Sequence, residues 1–224
     1  MDSNDENNKE LKEEMVDEVI NLKEKEDNKE EDNKEEDEKE ESKEERHIKN
    51  KMEFFNVLKD FIKDIELVYP EIELNKNLLD IKENNDYLKV DDSVEVLFNY
   101  CKDKYPEYFF KILYENEDIF SEDMMLLPEI NFRYMWFECE VSEHTKSMIW
   151  KYLQLILFVV ITEVDNGDVF GTASKLFENV NKNEFKEKLE ETFKNMEETF
   201  KNGGNFENID VNSLPDPDKL HDHI

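Results

Sequence analysis

The sequence predicts a mainly α protein: an irregular multi-helix bundle around one buried central helix, with a disordered acidic N-terminal tail. Three observations carry this. Residues 148–161 are apolar or aromatic except for Lys151 and Gln154, so a helix there is apolar on nearly every face, the pattern of one wrapped by others. Phe54, Leu58, Phe61, Ile62, Ile65 and Val68 on one side, and Phe185, Leu189, Phe193, Met196 and Phe200 on the other, recur at the three-to-four-residue step of a one-sided helix. Residues 1–50 carry 22 acidic and 10 basic side chains and no aromatic, too little apolar material to offset the entropy of ordering.

Taken in order, the chain divides into a low-complexity tail (1–50), a helical domain (51–202) and a flexible C-terminal tail (203–224). Within the first, residues 26–36 nearly repeat Glu-Asp-Asn-Lys-Glu, and only 11–22 shows helical apolar spacing, read as a transient helix in a solvated segment. The domain opens with a helix from Met52 that Pro70 ends. Residues 72–89 are polar with scattered leucines and read as a turn with a short irregular or helical connector. Asp92 and Ser93 are placed to cap a helix to about Lys102 that buries Val94, Leu97, Phe98 and Cys101. Tyr105-Pro106-Glu107 restarts the chain, with Pro at a first-turn position and Tyr108, Phe109, Ile112 and Leu113 at helical spacing.

Ile130, Phe132, Tyr134 and Trp136 alternate as a strand would, but no second segment alternates to pair with it. An ordered loop with a short helical turn near 131–137, its aromatics packed on the central helix, is therefore expected. Ser142 supplies an N-cap hydroxyl and Glu143 a negative charge at the positive end of the central helix, which Asn166-Gly167 should stop. A short helix over 172–180 carries Leu176 and Phe177. Asn183 should cap the last helix, whose wet face offers Glu184 with Lys188, Glu190 with Lys194 and Glu197 with Lys201; Gly203-Gly204 ends it. Its seam spans only about two heptads, short of the three to four of a coiled coil, so docking on its own chain and a monomer are expected.

Charge narrows the function. The 224 residues hold 60 acidic and 29 basic side chains, net charge −31, and residues 51–224 alone hold 38 and 19. The domain is acidic in its own right, which argues against direct binding to nucleic acid or a membrane surface and for a basic protein partner. The apolar run 148–161 is fourteen residues with a lysine inside, against roughly 20 for a bilayer-spanning helix. Met1 to Glu6 is acidic where a secretory signal would be basic and then apolar. Cys101 and Cys139 in such a chain are expected to be free thiols in a reducing compartment.

The candidate chemical motifs each fail a specific test. Asp165-Asn-Gly-Asp168 resembles a calcium loop, but the twelfth position is Leu176 or Asn179 where a bidentate Glu is required. Residues 167–175 lack the Gly-Lys-Ser/Thr order and spacing of a phosphate loop. Cys139 and His144 have no third group to orient them; His221 and His223 have no further ligand at finger spacing. Glu138 and Glu140 form a carboxylate pair of a kind that arises freely among 60 acids. No catalytic, metal or cofactor residue is therefore assigned.

Ile149-Trp150-Lys151-Tyr152-Leu153-Gln154-Leu155-Ile156-Leu157-Phe158, with Leu127-Pro128-Glu129-Ile130-Asn131-Phe132 before it and Leu214-Pro215 and Leu220-His221-Asp222-His223-Ile224 after, resembles a group of uncharacterised helical proteins encoded by giant, large-genome DNA viruses. The resemblance spans roughly residues 95–224. It implies a viral origin and no activity, and the members continue past the segment matching 221–224. The first functional reading is a non-enzymatic viral interaction or scaffold protein, in the host cytoplasm or virion interior. An enzyme whose site is assembled from ordinary acids and aromatics is the rival, and an acidic mimic of nucleic acid the third. Exposed aromatics on an acidic face would favour the first; converging polar groups with shifted pKa values would favour the second.

Overall fold

The computed structural model describes residues 34–121, 125–161, 163 and 182–201, without the side chains of 34–43, 182 and 196–201. By contacts the chain divides into Met1–Met52 and Glu53–Ile224, two residues past the compositional boundary. The helix Lys34–Val68 (α1) runs through that division. Residues 34–50 of the expected tail are thus helical, a state for which Glu and Lys have good intrinsic propensity. The expectations for 1–33, 164–180 and 203–224 lie outside the described residues.

Every regular element among the described residues is helical, and no strand occurs. After α1 come Lys76–Glu83 (α2), Asp91–Lys104 (α3), Phe109–Leu113 (α4), Glu143–Ile161 (α5) and Lys182–Lys201 (α6). Between them lie 3-10 turns at Tyr87–Lys89, Tyr105–Tyr108 and Glu117–Phe120, and a π-helical turn at Tyr134–Glu138.

Phe54, Leu58, Phe61, Ile62 and Ile65 of α1 are buried, but Val68, expected on the same face, is 42% exposed. The chain leaves the helix there for Pro70, and Tyr69 turns inward instead, its hydroxyl donating to the Met135 carbonyl at 3.1 Å. The connector 72–89 is more regular than its polarity suggested. Asn75 caps α2 by accepting from the Leu78 N–H at 2.9 Å, and Leu78 and Ile81 are buried. Two basic side chains join α2 to α1: the Lys82 ammonium lies 2.7 Å from Glu66, and Lys59 donates to the Asn84 carbonyl and to Asn85 Oδ1.

Asp92 and Ser93 do not cap α3. The helix starts at Asp91, with Val90 in the cap position, and Ser93 is buried with its hydroxyl donating to Asp80 Oδ2 at 2.8 Å. Ser93 thereby ties α3 to α2, and Asp91 and Asp92 supply the first-turn negative charge that suits the helix dipole. Val94, Leu97, Phe98 and Cys101 are buried as their spacing predicts. Pro106 opens the 3-10 turn leading into α4.

α4 closes with paired bonds from Asn116 N–H to Lys111 O (2.8 Å) and Glu115 N–H to Ile112 O (3.2 Å), with Glu115 at φ 52°. This is a Schellman ending with Glu in the left-handed position that Gly usually fills. The same helix end meets α5: the Gln154 amide, itself buried, donates to Ile112 O at 3.3 Å, a further bond to that carbonyl, and to Leu113 O at 3.4 Å. Gln154 thus sets its buried amide against helix-end carbonyls, where its N–H groups find acceptors.

Ser142 caps α5, its Oγ accepting from the Thr145 N–H at 3.1 Å. Residues 152–161 are all buried. α5 packs on α3, on the 3-10 turn Tyr105–Tyr108 and on α4, and its rings reach α1 through Tyr152–Phe61 (4.7 Å) and α6 through Phe158–Phe193 (4.6 Å). α6 starts at Lys182, so Asn183 sits inside the helix instead of capping it. Phe185 and Leu189 are buried, and Phe185 lies 6.0 Å from both Phe109 and Phe110 of α4. Ion pairs on its wet face include Lys186–Glu190 at 3.8 Å and Lys188–Glu191 at 3.4 Å.

Emptying α5 should therefore be costly. Trp150→Ala and Leu157→Ala are expected to destabilise by about 2–5 kcal/mol each, whereas Val96→Ala, at a 54% exposed position, should stay within about 0.5 kcal/mol. Urea unfolding of the three variants measures the difference, and equal midpoints would refute the burial of α5.

Candidate functional site

The π-helical turn Tyr134–Glu138 joins the core to an acidic surface. Asn131 opens it, accepting from the Tyr134 N–H at 2.9 Å through its side chain and from the Met135 N–H at 3.3 Å through its carbonyl. Inward, Met135 and Trp136 are 3% and 4% exposed; outward, Tyr134 and Phe137 are 44% and 54% exposed. In a turn bonded i to i+5, residues four apart lie nearly above one another, so Glu138 shares the outer face with Tyr134. Of the four alternating positions 130, 132, 134 and 136, only Tyr134 faces water, because the wide turn shifts the period.

The inner half of the turn is held by a cluster of rings. Trp136 lies 4.2 Å from Phe120 and 5.6 Å from Trp150, and Phe120 lies 4.9 Å from Trp150. Phe132 continues the cluster to Phe61, 6.2 Å away, and so to Tyr152. The expected packing of these aromatics on α5 is realised through Trp150. The Lys146 ammonium sits 5.2 Å from the Trp136 ring centre. The segment holds one of the two left-handed residues other than glycine among the described residues, Glu129 at φ 67°, and a buried Trp136 indole N–H with no hydrogen-bond acceptor. Such features persist where surrounding packing over-determines them, and they cluster at functional sites.

Around Tyr134 the surface is negative. Its phenol is held above the ordinary tyrosine value, first by the charge of Cys139 and a hydrogen bond to it, then by Glu71 and Glu138. Tyr69 rises to about 12, mainly through burial and then through Cys139. Tyr69, Glu71, Tyr134, Glu138 and Cys139 therefore form one neighbourhood, built from the end of α1 and the π turn. Glu140 follows, also exposed. Cys139 faces Tyr134, and His144 is an exposed residue in the first turn of α5. Both cysteines are free, Cys101 in the core and Cys139 half-buried.

The other notable polar group is a buried pair. The Tyr152 hydroxyl donates to Asp64 Oδ2 at 2.8 Å, and Asp60 lies one turn earlier with Lys63 at 3.7 Å. Burial, then the bond to Asp64, push the Tyr152 phenol far above its ordinary value. A general acid or base works best with a pKa near the operating pH, and this phenol is displaced away from it. It pins α5 to α1.

Asp165 to Lys175, His221 and His223 lie outside the described residues. Among the described residues no group of three His, Cys, Asp or Glu could hold a metal ion, and no helix is long and apolar enough to cross a membrane. The π turn was not anticipated as a site. The signal that could have shown it was two aromatics, Tyr134 and Phe137, beyond what one turn can bury while Trp136 and Phe132 fill the inner face. Comparison of the chain with protein-family models, curated proteins and solved structures finds no match.

Burial of Tyr152, and then its bond to Asp64, contributes to an alkaline limit on stability. A folded-state pKa raised above the unfolded value of about 10 contributes stability that is complete below that pH and is lost as pH rises through the folded value. Tyr69 and Tyr152 both shift this way, so unfolding midpoints should fall above about pH 10. Tyr152→Phe should lower stability at pH 7 by about 1.5–3 kcal/mol, the range for a bond to a charged group, and flatten the alkaline fall. A fall as steep as in the wild type would exclude Tyr152 as its source.

Proposed function

We propose that this chain is a non-enzymatic interaction or scaffold protein whose acidic helical unit binds a basic protein partner. The exposed Tyr134 and Phe137 on a carboxylate-flanked turn carry this reading. Large apolar groups held in water by a well-packed inner half are a feature of binding surfaces, where aromatic anchors contribute most of the affinity. The excess of 38 acidic over 19 basic side chains in residues 51–224 favours cationic partners and speeds their encounter. The resemblance at Ile149 to Phe158 supports an origin in a large-genome DNA virus, with action in the host cytoplasm or virion interior.

The unit acts as a monomer in this reading. Three of the five α6 seam residues that could pair with a second copy pack within the chain, with Phe185 and Leu189 buried and Phe193 on Phe158. Light scattering should give the mass of one chain, and Phe193→Glu should unfold the unit without first splitting a dimer. A dimer separating into folded monomers would refute this part. For the partner class, capture by the full chain from an extract should enrich basic proteins and lose them as salt is raised, since exposed charge pairs are screened within about 8 Å at physiological ionic strength. A captured set with no excess of basic proteins would overturn the reading.

A further inference from the structure

We propose that the outer face of the π turn, Tyr134, Phe137 and Glu138 with Glu71 beside them, is a docking site for an arginine side chain presented by a basic protein segment. This rests on the preceding functional reading and names the chemistry of its contact. Two kinds of group meet here that separately attract different ligands. The rings of Tyr134 and Phe137 stand 44% and 54% exposed and would accept any apolar or cationic face. The Glu138 and Glu71 carboxylates lie close enough to Tyr134 to disfavour its ionisation, so a purely apolar occupant would bury them against nothing. An occupant that satisfies both must be flat enough to lie on a ring and must donate to carboxylates at its edge.

Guanidinium meets both conditions. It is planar, permanently charged and weakly hydrated, stacks on aromatic faces, and presents a rigid fork of N–H donors matched to a carboxylate. An ammonium could be drawn by the same charge but lacks the stacking plane and the fork. The chain's own neighbouring guanidinium, Arg133, donates from one nitrogen to the Ser121 carbonyl at 3.3 Å. The site is also pre-organised. Met135 and Trp136 lock the turn into the core, and Tyr69 holds the Met135 carbonyl at 3.1 Å, so little ordering is needed on binding.

The test is fluorescence anisotropy of a labelled Arg-Gly repeat peptide and its Lys-Gly counterpart of equal length, titrated with the full chain at moderate salt. Four chains are compared: wild type, Tyr134→Leu with Phe137→Leu, Glu138→Gln, and a control with Asp103→Asn and Glu107→Gln. The leucine pair keeps apolar area while removing the rings, and thermal unfolding of each variant confirms an intact fold. Expected are tighter binding of the arginine peptide than of the lysine peptide, a loss of about tenfold in the two site variants, and an unchanged control. Equal weakening of all variants, control included, would overturn the π-turn site while leaving the basic-partner reading standing. Equal affinity for the two peptides would overturn the arginine assignment. No binding of either peptide by the wild type would overturn both readings.

Discussion

A helix buried on every side can carry polar atoms only where another element meets them, and this constraint organises the unit around α5. Its apolar run holds two groups that need hydrogen-bond partners deep in the core, Tyr152 and Gln154. Each fixes a neighbour: Tyr152 reaches Asp64 and so sets α1, and Gln154 reaches the last carbonyls of α4. A buried amide or hydroxyl left unmet costs about 1–3 kcal/mol, so alternative packings of equally apolar helices are disfavoured at these two points. The apolar contacts supply the driving force, while the polar contacts select one arrangement among many of similar burial.

The same logic explains how an exposed aromatic surface is tolerated. Phe120, Trp136 and Trp150 form a cluster with centroids within 5.6 Å of one another, and it holds the inner half of the π turn. A turn of that width cannot bury every ring of Tyr-Met-Trp-Phe, and the two it faces outward are Tyr134 and Phe137. The left-handed Glu129 and the unmet Trp136 N–H are further departures from local rules within eight residues of one another. Elsewhere the unit has side-chain caps at Asn75 and Ser142 and Pro106 in a first turn, with a second left-handed residue, Glu115, closing α4.

Acidity and stability are kept apart in this unit. Many of its carboxylates lie on the surface, where they repel anionic partners without entering the core, whereas Asp60 and Asp64 are drawn inward on α1. Asp64 is met by Tyr152, and Lys63 stands 3.7 Å from Asp60. The inward acids act in packing, whereas Glu71 and Glu138 stand near the exposed Tyr134 ring.

Periodicity alone determined the helices 54–65 and 185–193, the apolar character of 148–161, and the buried residues of α3, since a repeat of three to four residues has one structural solution for an amphipathic segment. Composition alone determined the acidity of the domain. Tertiary structure decided what depends on contacts distant in sequence. It made Ser93 a tie to Asp80 instead of a cap, because α2 lies where the hydroxyl can reach it. It exposed Val68, because Tyr69 turns inward in its place at the helix end and bonds the Met135 carbonyl. It gave the helical turn expected near 131–137 its π form, with Trp136 turned in among the rings of Phe120 and Trp150. That Tyr134 and Phe137 are the aromatics facing water follows from that form.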